Sequence, residues 1–406
     1  MQREDKKKEK QDRINKKYRI TKKYSKYLAL LMVVSLSSNA FAEMYMVDKY
    51  FDDLRPEAHI NKMFSSERKN ELKGNVVNYD DIEDIIHLYN PEILSIWNEF
   101  ENNKSASDIY EDYQDAADSL YAAASSQDSE MMEAITNAQA SALQIQADKS
   151  ASDSYTNFLT NYRTEKQLVL QTKILDINYH KSYYNMIIAT ESLNEAKRKE
   201  ESATNALSVG SGTQIDLLTA KKAVVDANSA LISATSNQKT YKRNLLVNCA
   251  KPMTDDVNIV PVVIEEFFDI TSVDLNTDYQ YALAHNIQLE IYRRKKENAR
   301  TLEVKNEFQI LCDAAPEKIY NDLENKYSNI LDALDSVYNR DIAYTLAVDN
   351  LNKAQDEFSH GNISSKAYES AKYNLTTAEN NRQIAKYDLK IAIENYNFAK
   401  MGYGDC

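Results

Sequence analysis

Six glycines and five prolines are spread over 406 residues, too few to punctuate a turn-rich β architecture. Cysteine is scarce as well. Cys249, Cys312 and Cys406 are odd in number and far apart, and they match neither a zinc spacing nor a disulfide framework. They read as buried or incidental thiols, although Cys406 at the terminus could pair with another chain. The five histidines, His59, His87, His180, His285 and His360, are scattered. No HExxH, GxSxG or Walker loop occurs, and no GxGxxG lies between a strand and a helix. The chain therefore reads as a non-enzyme with no metal and no cofactor. Beyond the first 42 residues, no apolar run is long enough for a transmembrane helix.

What the chain does have begins with a basic start. Residues 1–26 carry twelve Lys/Arg against four Asp/Glu, Tyr27–Leu36 (YLALLMVVSL) is apolar, and Asn39–Ala42 (NAFA) has the small-x-small cleavage pattern. This predicts a secretory signal peptide over 1–42, cut after Ala42. Ten apolar residues are too few to serve well as a membrane anchor. Without that segment the chain keeps 37 basic and 58 acidic residues, a net of −21. Such a surface repels phosphate backbones and disfavours nucleic-acid partners. Solubility is the simple meaning of the acidic excess; a cation-lined duct is the alternative.

The remaining composition, rich in Ala, Asn, Lys, Glu and Tyr between widely spaced breaks, predicts an all-α protein of long helices. The organising stretch is Val209–Leu245. Leu217, Ala220, Val224, Ala227, Leu231, Ala234, Gln238, Tyr241 and Leu245 follow at alternating steps of three and four, the heptad spacing of a helix packed along a partner. Tyr368, Ala371, Leu375, Ala378, Arg382, Ala385, Leu389, Ala392 and Tyr396 repeat that register 151 residues later, as Gly361 follows Gly210. Nine positions in shared register, anchored on a glycine, mark an internal duplication. Leu193, Ala196, Glu200, Ala203 and Leu207 form the approaching seam in the first copy. Tyr344, Ala347, Leu351, Ala354 and Phe358 form it in the second. Glu200 is expected at the seam's edge, near water, because an unpaired buried carboxylate is costly. Gln238 and Arg382 interrupt the seam where the packing partner changes.

The turn chemistry is legible. Gly210 and Gly361 sit where a helix needs a left-handed C′ residue. Thr213 and Ser364 follow as N-caps of the returning helices, and Asp216 adds favourable charge at N3, where the second copy has Ala367. Upstream, Asp80–Leu94 (DDIEDIIHLYNPEIL) predicts an amphipathic helix broken at Asn90-Pro91, with Pro91 opening the next helix. Asp278–Leu289, containing Asn286, is its counterpart. Helix is expected from Pro91 to about Ala124, a turn at 125–129, and helix again through Leu207. Pro252–Asp269 combines prolines with β-branched residues and reads as a connector with room for a short strand.

A helix ending in Val209-Gly210, then x-x-[ST]-x-x-D-x-x-x-A and an ascending Leu/Ala heptad, all duplicated, resembles the TolC family of outer-membrane efflux proteins. So does the helix leading into Asn90-Pro91-Glu92-Ile93. The resemblance covers most of residues 80–404, most strongly Val209–Leu245. It implies a tube of long antiparallel helical hairpins closed by a homotrimer, with cargo carried outward. It also implies a membrane-fusion (periplasmic-adaptor-type) partner and an inner-membrane pump. The docking candidates it implies are Val209, Gly210, Ser211, Gly212, Thr213 and Asp216 at one tip, and His360, Gly361, Asn362 and Ser364 at the other. The division expected is a polar segment 43–75, a first repeat 76–250, a connector 251–275 and a second repeat 276–406.

The chain departs from the family where barrel strands belong. About Ser105–Leu168 and Arg300–Ser336 are rich in Ala, Ser, Asp, Asn and Glu, without alternating apolar strands or aromatic girdles. A TolC-like tube without an evident β-barrel is therefore expected. Its place is the outer membrane if the cell has one, and otherwise the wall layer. Ser211 and Asn362 stand where the family often has an apolar tip residue. Three functions follow: an efflux or secretion duct, an exported helical scaffold of the envelope with no pore, and an adaptor-like binding module.

Overall fold

The computed structural model describes residues 50–51, 54–102, 107–127, 129–150, 153–254, 256–264, 270 and 273–406. The expected signal peptide, 1–42, lies outside them. Pro56–Cys406 forms one compact unit. It opens with two short helices, α1 (Pro56–Ile60) and α2 (Ser66–Lys73), then strand β1 (Val76–Val77). Helices α3 (Ile82–Tyr89) and α4 (Pro91–Asn102) meet at the Asn90-Pro91 break, followed by α5 (Ser107–Ala124) and α6 (Glu130–Ser150). The long hairpin α7 (Ser154–Ser208) and α8 (Gln214–Asn248) comes next. Strand β2 (Asn258–Ile259) then pairs in parallel with β1 in the register Val76↔Asn258, Val77↔Ile259. Helices α9 (Leu275–His285) and α10 (Ile287–Asn298) lead into the second long hairpin, α11 (Leu302–Ser359) and α12 (Ser365–Lys400).

Four long helices form one layer in the order α8–α7–α12–α11, because α7 packs on both α8 and α12, and α12 on both α7 and α11. At 1.5 Å per residue α7 and α11 run to about 80–90 Å and α8 and α12 to about 50 Å. The inner surfaces follow the heptad seam. Leu193 and Ala196 of α7 bury against Ala227 of α8, with Val224 and Leu231 alongside. Away from the turn the second hairpin is packed more deeply. Ile319, Leu323 and Ile330 of α11 meet Leu389, Ala392 and Tyr396 of α12 and Tyr279 of α9. Alanine at alternate seam positions leaves no side chain to hold two backbones apart, while each buried Leu contributes on the order of 2 kcal/mol.

The two hairpins are tied at their base in the same way. Asn90 caps α4, its Oδ1 accepting from the amides of Glu92 (2.9 Å) and Ile93 (3.1 Å) while its Nδ2 donates to the Asn248 carbonyl at 2.8 Å. Asn286 accepts from Leu289 N (2.8 Å) and donates to the Gly404 carbonyl (3.3 Å). Each asparagine thus ties the start of one helix to the end of the returning helix of its own copy.

One expectation is corrected and another is qualified. The helix does not run unbroken from residue 130 to Leu207: Asp153 starts α7 afresh, its carboxylate accepting from Thr156 N at 2.6 Å and from Asn298 Nδ2 at 2.8 Å. Aspartate competes for main-chain donors and favours a cap over a helix interior. Phe358 meets the seam residue Tyr368 as its spacing predicts, ring on ring (centroids 5.1 Å, 5° between planes), but it stays 40% exposed. So close to the turn the helices have no deeper layer to cover a phenyl ring. The other four residues of that seam are half-buried, as is Glu200 in the first copy.

Where barrel strands would lie, the described residues are helical: α5 packs on α6, and the early part of α11 simply lengthens the descending helix. Asp148 of α6 caps α11 from outside, its Oδ2 accepting from Arg300 N, Thr301 N and Thr301 Oγ1 at 2.6–2.9 Å. Among the described residues β1 and β2 are the only strands, and no helix is long and apolar enough to cross a membrane.

Two predictions follow from the base of the hairpins. Gly402 has φ +83°, and a Cβ there would meet the His285 carbonyl oxygen at 2.1 Å. Gly402→Ala should cost about 2–4 kcal/mol in a denaturant titration, more than left-handed strain alone. Asp176 of α7 is fully buried and, among the described residues, its carboxylate makes no well-directed hydrogen bond; His180 Nε2 stands 3.3 Å from Oδ1. Burial raises its pKa, outweighing His180. The folded chain therefore holds this proton more tightly than the unfolded chain, and stability falls as pH rises from the ordinary carboxylate range through the raised value. Asp176→Asn should raise the melting temperature at pH 7.5, with the gain shrinking as pH is lowered toward 4.

Candidate functional site: the paired hairpin tips

Both turns solve the helix-end problem in the same way. At the first, Gly210 N donates to Leu207 O (3.1 Å) and Ser211 N to Ala206 O (2.9 Å). At the second, Gly361 N donates to Phe358 O (3.0 Å) and Asn362 N to Glu357 O (2.8 Å). These are Schellman motifs, which need a left-handed C′ residue, and Gly210 and Gly361 each have φ +73°. No atom lies within 4 Å of a Cβ built on either glycine, so conformation and not space demands glycine here. Gly212 differs, because a Cβ would meet the Ala206 side chain at 3.0 Å.

The returning helices are capped unequally. Thr213 accepts from Asp216 N (3.1 Å) while Asp216 Oδ2 accepts from Thr213 N (3.0 Å), a closed capping box. Hydrogen bonds from Thr213 hold the Asp216 carboxyl below its ordinary value. Ser364 accepts from Ala367 N at 3.3 Å, and Ala367 has no side chain to reciprocate. His360 caps α11, its ring Nδ1 2.8 Å from the Asp356 carbonyl.

The fold brings the two tips to one end of the layer. Lys366, two residues into α12, donates from Nζ to Ser202 Oγ of α7 at 3.1 Å. Val209, Gly210, Ser211, Thr213 and Asp216 are exposed, as are His360, Gly361, Asn362 and Ser364; Gly212 is half-buried. Val209 is 77% exposed. Of the seam residues, Leu217, Ala227, Ala385 and Leu389 are buried, while Ala220, Val224, Leu231, Ala234, Tyr368, Ala371, Leu375 and Ala378 are half-buried. Arg382 pairs with Asp341 (2.5 Å) and lies over the ring of the seam residue Tyr344 (5.1 Å), clamping α12 to α11; the packing partner therefore does not change at Arg382, contrary to expectation.

Sequence reasoning missed two features. The edge helices carry a second apolar stripe. Leu218, Val225 and Ile232 on α8 are 56–64% exposed, and Tyr338, Ile342 and Leu346 on α11 are 37–59% exposed. On α8 this stripe repeats every seven residues, one position after Leu217, Val224 and Leu231, whereas on α11 its members are four apart. Far from the tips, moreover, the fold gathers His59, His87 and Glu165, which corrects the expectation that the histidines stand apart. Their separations in sequence, 28 and 78 residues, match no local metal motif.

No family model matches the chain, and neither does any curated protein. Among solved structures, a crystal structure of a membrane protein from Pseudomonas aeruginosa is similar over 80% of this chain and 93% of that one, with 11% identity and a TM-score of 0.50. The open state of the Neisseria gonorrhoeae MtrE outer membrane channel is similar over 80% and 89%, with 11% identity and a TM-score of 0.46. Identity this low makes the likeness one of fold alone, and below a TM-score of 0.5 it carries no further weight. The chain shares that membrane protein's fold, an all-α architecture with two long antiparallel hairpins, and its described residues are helical where the TolC-like resemblance places barrel strands.

The unequal caps give a prediction. Thr213→Ala opens the capping box and should cost about 1 kcal/mol. Ser364→Ala, with a longer and unreciprocated bond, should cost less. Thermal melts of both variants against the parent chain check the order.

Proposed function

We propose that this chain is an exported, TolC-like efflux or secretion duct component, in which an oligomeric helical tube conducts small molecules or peptides. The supporting observation is the open-edged layer α8–α7–α12–α11, with both tips at one end and an unpartnered apolar stripe on each outer helix. Val225 lies 15 residues after Gly210 and Leu346 lies 15 before Gly361. The two stripes therefore run at matching heights, about 22 Å from the tips. An edge that fits a different edge at the same height makes a head-to-tail contact, and such contacts generate a ring when the rotation between copies closes. Three copies, as the family resemblance implies, would close the tube.

In this reading residues 43–75 precede a first repeat, 76–250; residues 251–275 connect it to a second, 276–406. The tip residues Val209–Thr213 with Asp216, and His360–Asn362 with Ser364, meet a membrane-fusion adaptor that links the tube to an inner-membrane pump. The chain works without catalysis and without nucleic acid. Its place is the cell envelope, in the outer membrane where one exists and against the wall otherwise. Helices in place of barrel strands favour a second reading, an envelope scaffold or adaptor-binding protein with no pore.

Oligomeric state separates the two. Cysteines placed at Val225 and Leu346 together, with Cys312 and Cys406 changed to Ser, should oxidise into a covalent ladder ending at three chains, and light scattering should give a trimer. Either cysteine alone should stop at monomer. A monomer by scattering, with no ladder, removes the duct and leaves the scaffold.

A further inference from the structure

We propose that His59, His87 and Glu165 form a binding site for a divalent transition-metal cation of the zinc class, which fixes the segment before the first hairpin to helix α7. The inference is independent of the duct reading. Three elements supply one ligand each: α1 gives His59, α3 gives His87 and α7 gives Glu165. Glu165 Oε2 lies 3.1 Å from His59 Nε2, and its Oε1 lies 3.0 Å from His87 Nδ1. All the donor atoms lie within 4.8 Å of one another. Ligands about 2.1 Å from a tetrahedral zinc stand roughly 3.4 Å apart. Both imidazole–carboxylate spacings are close to that already, and a modest turn of the His59 ring closes the rest. His59 has the room, being 14% exposed at its side chain against 7% for His87 and 1% for Glu165.

The donor set selects the ion. Two imidazole nitrogens and one carboxylate oxygen suit zinc and its neighbours. Calcium and magnesium prefer all-oxygen shells. A second shell is present too. Trp97 Nε1 donates to Glu165 Oε2 at 2.6 Å and orients the carboxylate. Rings enclose His59, with Tyr162 at 4.8 Å, Trp97 at 5.2 Å and Phe158 at 6.1 Å between centroids. Water is largely excluded, which strengthens a cation's hold on its ligands. Lys166 stands on the same helix with its ammonium committed to Glu83, so it does not replace the cation as partner to Glu165.

The site also explains an oddity of the fold. Helix α1 has five residues and none of them is buried. A helix so short has no stability of its own in water. His59 reaches from it into the core, and a metal bond there would convert a marginal contact into a clamp.

Trp97 is the only tryptophan in the chain, so its emission reports on this place alone. The purified full chain, stripped with EDTA, would be titrated with zinc by calorimetry while Trp97 fluorescence is followed. The expected result is one zinc per chain, a fluorescence change that saturates at the same ratio, and a raised melting temperature. His59→Ala, the least buried of the three, should weaken zinc binding at least tenfold with the circular dichroism unchanged. Glu165→Gln should do the same if it folds. Cobalt in place of zinc should give the visible d–d bands of a low-symmetry nitrogen and oxygen site. Absence of stoichiometric zinc binding overturns the proposal. So does binding that leaves Trp97 silent, or binding that His59→Ala leaves intact.

Discussion

The structure depends on one constraint: helices of about 80 Å must be held side by side along their length. An isolated helix in water gains little from length alone, and tertiary packing of one face supplies most of its stability. In this chain the face is the Leu/Ala seam. Ala227 lies buried against Leu193 and Ala196 in the first hairpin, and Leu389 and Ala392 meet Ile319 and Leu323 in the second. Small residues set a short interhelical distance and leucines supply the apolar area. Polar residues at seam positions find partners at the edge, as Arg382 does with Asp341.

Packing of this kind fixes direction but not stopping points. Those come from the termini: Schellman motifs at Gly210 and Gly361, the Thr213–Asp216 capping box, and the amides of Asn90 and Asn286. At the base, close approach adds to conformation as a reason for glycine. Gly402 lies against the His285 carbonyl, whereas the first copy tolerates Ala250 at φ +50° at the corresponding helix end. The two hairpins are therefore alike in their caps and differ more elsewhere. Helices α5 and α6 belong to the first copy alone and reach across to cap α11 through Asp148.

Both outer helices of the layer carry an exposed apolar stripe. Val225 and Ile232 on one edge and Ile342 and Leu346 on the other are exposed to an extent unusual for aliphatic side chains in helices otherwise so regular. The end away from the tips is different in character. It is the more deeply packed region, with aromatic residues crowded about Glu165 and a short parallel β pair tying residues 76–77 to 258–259.

The amino-acid sequence by itself determined the helical class, both hairpin turns and their caps, because these depend on local spacing: periods of three and four, a glycine at C′, a hydroxyl at the N-cap. The break at Asp153 was local too, but an aspartate in a polar helical stretch carries too weak a signal to be placed without its partner Asn298. Only the tertiary structure decided what joins distant segments. It set the order of the four long helices, brought Lys366 against Ser202, and left the stacked Phe358 and Tyr368 rings only partly covered. It also gathered His59, His87 and Glu165 from three helices. Local periodicity records which face of a helix is apolar. Which face it meets is set by packing between residues a hundred or more positions apart, and no local pattern encodes that.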